Sequence, residues 1–79
     1  MQIVLQGNYL GSKTGKTKNN ESYYIVSVLS GDSAVRVSFD NDTLEIFKEL
    51  STKSRFEEVA ILCDLNIYNG NAYIHALPY

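Results

Sequence analysis

Two dipeptides, Gly31-Asp32 and Asn69-Gly70, each separate runs of alternating side chains, and a two-residue turn fixes the register of both strands it joins. With Ser30 opposite Ser33, Val28 meets Val35, Val26 meets Val37 and Tyr24 meets Phe39, so one face of this hairpin is apolar. Its other face sets Leu29 against Ala34, Ser27 against Arg36 and Ile25 against Ser38. With Tyr68 opposite Asn71, the second hairpin pairs Ile67 with Ala72, Leu65 with Ile74 and Cys63 with Ala76 on an inward face. Asn66 with Tyr73, Asp64 with His75, and Leu62 with Leu77 then face outward. That both hairpins sort by polarity at the register their turns dictate is stronger support than alternation in any one strand.

The remaining elements follow from period and composition. Ile3 and Leu5 alternate with Gln2 and Gln6, which predicts a strand over residues 2–10, with Gly7 marking a bulge and leaving the facing of Tyr9 open. Residues 11–21, GSKTGKTKNNE, have no apolar side chain and read as a solvated, mobile loop. Asp42, Thr43, Leu44 and Glu45 resemble a capping box, and Leu44, Phe47 and Leu50 follow at helical spacing, predicting a helix over about 43–52. Period two returns from Phe56 and runs through Ile67, the longest predicted strand. At 79 residues the chain is expected to be one domain, 1–79, too small for a deep catalytic cleft. Five strands with one helix between strands three and four is the order of the mainly β, five-stranded OB-fold Greek-key barrel. An open β-meander carrying one helix has the same order.

Composition narrows the functions. Seven Lys and Arg against nine Asp and Glu argue against a globally basic nucleic-acid binder but leave local patches open. Cys63 is the only cysteine, so there is no internal disulfide framework. The segment MQIVLQG lacks a signal peptide's basic start and long apolar run, which makes the cytoplasm the expected compartment. The string GSKTGKT has the wrong spacing for a phosphate-binding P-loop and leads into a strand, where that motif needs a helix N-terminus. His75 and Cys63 lie on opposite faces of their hairpin, so they form neither a nucleophile with its base nor a zinc site. Neither enzyme, metal nor cofactor is expected.

The passage GSKTGKTKNNESYY from Gly11 to Tyr24, the short first strand and the closing IYNGNAYI hairpin resemble the small OB-fold single-stranded-DNA-binding, or helix-destabilising, proteins of bacteriophages and mobile genetic elements. The resemblance implies a protein that coats single-stranded DNA during replication, recombination or transfer. Such binding needs cations along the phosphates and aromatic faces under the bases. Lys13, Lys16, Lys18 and Arg36 are the candidate phosphate ligands, Tyr23, Tyr73 and Tyr68 the candidate stacking residues, and Ile25 and Ser27 a supporting surface. Each has a plainer reading: a solubilising loop for the lysines, a salt bridge for Arg36, and cross-strand packing for the tyrosines. A module this small covers few nucleotides, so a homodimer or cooperative rows are expected. The competing reading is a protein-interaction module using Tyr23, Ile25, Leu29, Leu62 and Leu77.

Overall fold

The computed structural model describes residues 1–78. Its strands are β1 (Gln2–Lys16), β2 (Ser22–Ser30), β3 (Ser33–Phe39), β4 (Glu58–Tyr68) and β5 (Asn71–Ala76), with helix α1 (Leu44–Leu50) between β3 and β4. They form a closed barrel in the order β1-β2-β3-β5-β4. Long β1 closes it by pairing antiparallel with β4 through residues 2–8 and with β2 through residues 8–16. Closure also needs β3 beside β5, and the two run parallel, with Ser38 opposite His75. An open meander is thereby excluded.

Both turn-derived registers hold at every pair, from Ser30 with Ser33 to Tyr24 with Phe39, and from Tyr68 with Asn71 to Cys63 with Ala76. Asn69 and Gly70 both have positive φ, as their turn requires. The inward faces meet in a core of Leu5, Tyr9, Val26, Val28, Val37, Phe39, Val59, Ile61, Cys63 and Ala76. Helix α1 plugs one end of the barrel: Phe47 lies 5.2 Å from the ring of Tyr24 and 5.6 Å from that of Phe39. These two inward rings give the plug its socket.

Five expectations need correction. The first strand does not stop at residue 10: residues 11–16 pair with Ser22–Ser27, so the predicted eleven-residue loop shrinks to 17–21. That short connection is tied by Thr17 N–H to the Glu21 carbonyl at 2.8 Å and Asn20 N–H to the Thr17 carbonyl at 3.0 Å. The irregularity in β1 falls between Tyr9 and Gly11, not at Gly7, and Gly11 takes the φ of 149° that a side chain would resist. Gly7 instead permits close approach, because a β-carbon there would strike the Leu29 carbonyl and Val28. Ile67 was assigned inward but is 73% exposed. The β1–β4 ladder ends at Gln2 with Asp64, and Leu65 N–H still donates to the Met1 carbonyl at 2.7 Å, so from Asn66 onward β4 is part of a two-stranded ribbon that runs beyond the barrel.

The last two corrections are at element ends. Helix α1 starts one residue later and stops two earlier than predicted, and a 3-10 turn over Asn41–Thr43 precedes it. The capping box is Asp40 with Thr43, not Asp42 with Glu45. Asp40 accepts from the N–H of Asp42 at 2.9 Å and of Thr43 at 3.2 Å, and the Thr43 hydroxyl accepts from Asp40 N–H at 3.0 Å. Strand β4 begins at Glu58 because Phe56, at φ 70°, is in the left-handed region and its ring is out in solvent.

Candidate nucleic-acid interface

Cross-strand register decides which predicted residues share a surface. Lys13 is opposite Ile25, Gly15 opposite Tyr23, Gly11 opposite Ser27, Arg36 opposite Ser27 and Ser38 opposite Ile25. Directly opposed residues point to the same face, so Lys13, Tyr23, Ile25, Ser27 and Arg36 share the outside of β1, β2 and β3. Because β3 and β5 run parallel and Ser38 meets His75, the face continues onto β5 at His75, with Tyr73 on the same side of β5 two residues further out in the projecting ribbon. Tyr68, Asn66 and Asp64 continue that face on β4, in register with Asn71, Tyr73 and His75.

Two of the three lysines fall elsewhere. Lys16 pairs with Ser22, so its side chain leaves the opposite face of the ribbon from Lys13. Lys18 is in the 17–21 connection. The bulge explains Lys13: odd-numbered residues Leu5 and Tyr9 point inward, and the extra residue at position 10 shifts the alternation so that Lys13 points out.

The face lies between two protruding ribbons. β3 covers β2 only from Tyr24 onward, so β1 and β2 project as a pair at Tyr23 and beyond, and β4 and β5 project past Leu65. β2 is antiparallel to β3, which is parallel to β5, so the two tips stand at opposite ends of the face. Tyr68 and Tyr73 are 68% and 53% exposed, whereas Tyr23, Ile25 and Ser27 are half-buried.

Electrostatically the face is mixed but its cations are free. Among the described residues, no carboxylate lies within 4.0 Å of Lys13, Lys16, Lys18 or Arg36. Asp64 is the one acid on the face. The Met1 amine, bonded to it at 2.9 Å, holds its carboxyl below the ordinary range, and Asn66, donating at 3.0 Å, adds to the effect. His75 stands 3.9 Å from Asp64; Cys63 is in the core, and the hydroxyl of Ser38, opposite His75, donates to the Ile74 carbonyl at 3.2 Å. Among the described residues, no group of three or more potential metal ligands comes together. The rival apolar patch is interrupted: Leu29 and Leu77 are at opposite ends, with Arg36, Ser38 and His75 between.

Ser38 and His75 point outward as their hairpin registers predict, but neither was among the predicted site residues. Alternation along β3 puts Ser38 there, but only the parallel β3–β5 junction, which no local signal marks, brings His75 and Tyr73 alongside.

No family model matches the chain, and no curated protein matches it either. Solved structures do. The SSB domain of a Synechococcus sp. protein is 16% identical, superposes with a TM-score of 0.65, and the match covers 96% of this chain and 89% of that one. Rim1, a mitochondrial single-stranded DNA binding protein from S. cerevisiae, is 12% identical, also with a TM-score of 0.65, over 98% of this chain and 89% of its own. This chain is an OB-fold. In this barrel the β2–β3 face carries Tyr23 and Arg36, the connection between β1 and β2 carries Lys18, and Tyr68 is the last residue of β4 before the turn to β5.

Proposed function

We propose that this OB barrel binds single-stranded DNA with little sequence preference and coats it, without catalysing a reaction. The observation that carries the reading is the outer face of β2, β3 and β5. There, Arg36, with no salt bridge among the described residues, shares the face with exposed Tyr73, Lys13 lies opposite Ile25 and near Tyr23, and two ribbons bracket the whole. Cations that follow phosphates and rings that accept bases are the requirements for such binding, each stacked base contributing about 1–3 kcal/mol. The two solved neighbours, an SSB domain and a single-stranded DNA binding protein, support the same reading.

Arg36 and Lys13 take phosphates on the face, while Lys16 and Lys18 reach the polymer at the ribbon tip. Tyr23, Tyr73 and Tyr68 stack bases, with Ile25 and Ser27 as floor. One domain spans 1–79, and an OB fold covers only about 4–16 nucleotides, so coating is done by a homodimer or by cooperative rows. The setting we propose is DNA replication, recombination or transfer of a bacteriophage or mobile genetic element, in the cytoplasm of a bacterial host.

Titration with oligo-dT at low and moderate salt, followed by tyrosine fluorescence, tests this. Saturable quenching that weakens with salt is the expected result. An unchanged signal in dilute buffer would refute the proposal and favour a protein-interaction module, a reading to which exposed Ile67 and Val4 and the net charge of −2 lend themselves.

A further inference from the structure

We infer that Gly15 is the seat that positions Tyr23 for stacking, an inference that rests on the proposed DNA binding. Gly15 is directly opposite Tyr23 in the projecting β1–β2 ribbon. Its backbone does not require glycine: the glycines with positive φ are Gly11, Gly31 and Gly70. A glycine inside a strand weakens it, and where the backbone has no need of one it commonly marks a close approach. Here the approaching group is the tyrosine. A β-carbon on residue 15 would stand 2.5 Å from Oη, 2.7 Å from Cζ and 3.0 Å from Cε1 of Tyr23, whereas one on Gly11, Gly31 or Gly70 would meet nothing within 4 Å.

The outer end of the ring therefore occupies the space that every other residue type would fill. Tyr23 lies past the point where β3 covers β2, so no third strand restrains it. The seat does so instead. It lets the half-buried phenol lean across β1 against the glycine backbone, two residues from Lys13 on the same face. A ring held in this way before the ligand arrives loses less rotational freedom on binding. Gly15 is a positioning residue: it touches no DNA and acts only through Tyr23.

The test compares Gly15→Ala, Tyr23→Ala and the double variant in oligo-dT titrations. A methyl at position 15 displaces a side-chain ring and not backbone, so Gly15→Ala is expected to melt close to the wild type. It should bind about tenfold more weakly, the effect of one lost stack. Tyr23→Ala should lose as much, and the double variant no more than either. The dependence of affinity on salt should stay at the wild-type slope in all three, since no phosphate contact is removed. Folded Gly15→Ala with wild-type affinity, or losses that add in the double variant, would overturn the seat while leaving DNA binding intact. A wild type that ignores oligo-dT overturns the underlying reading and with it the role given to Gly15. An upfield ring-current shift of the Gly15 α-protons, relieved in Tyr23→Ala, is expected without any DNA or glycine variant, and ordinary shifts in the wild type would overturn the seat by themselves.

Discussion

Leu10 is one residue too many for β1 to pair straight, and that surplus turns Lys13 out to the face it shares with Tyr23 and Arg36. Single residues set the chemistry elsewhere as well. Cys63 is fully buried among Ile61, Val26 and their neighbours, and burial pushes its thiol up from 9.0 to about 11. The thiolate is the reactive form, so at pH 8 the folded protein should resist alkylation by iodoacetamide over times in which the urea-unfolded chain is fully modified. Equal rates in the two states would contradict the buried position. The sign for stability follows: the folded thiol holds its proton more tightly than the unfolded one. Its contribution is complete below about pH 9 and is lost as pH rises through about 11.

At the scale of elements, the short helix depends on the cap that precedes it. Asp40→Ala removes the acceptor for two backbone N–H groups and should cost about 1 kcal/mol in urea unfolding; a loss below a few tenths would show that the 3-10 turn holds without it. Legibility differed by element for a physical reason. The hairpins at Gly31-Asp32 and Asn69-Gly70 could be read pair by pair because a two-residue turn carries its register locally. The second half of β1 could not, because Ser12, Lys13, Thr14 and Lys16 are all exposed, so no apolar side chain is needed and the strand has the composition of a loop. Ile67 misled in the opposite direction: it keeps the apolar alternation of β4 although the barrel has ended. Of the predicted site, Tyr23, Ile25, Ser27 and Arg36 were legible as one face from the β2–β3 turn alone. That β5, with Tyr73, joins this face was not, since it depends on a parallel contact between strands far apart in sequence.

Across the whole molecule, charge is segregated despite the acidic total. Residues 11–39 carry four cations and two acids, whereas 40–58, the helix and its flanks, carry three cations and six acids. This polarity leaves a nucleic acid one favourable side. With three or four phosphate contacts, the plot of log affinity against log salt should have a slope of about −2 to −3, and Arg36→Ala with Lys13→Ala should flatten it by more than one. A slope near zero would mean that the cations do not meet phosphate. One junction in the wall is unlike the others: β3 meets β5 at the single pair Ser38 with His75, and that seam runs through the middle of the ligand face. Backbone pairing in the wall is therefore thinnest along that seam, where the Ser38 hydroxyl adds a side-chain stitch to the Ile74 carbonyl at 3.2 Å, while long ladders hold the barrel everywhere else.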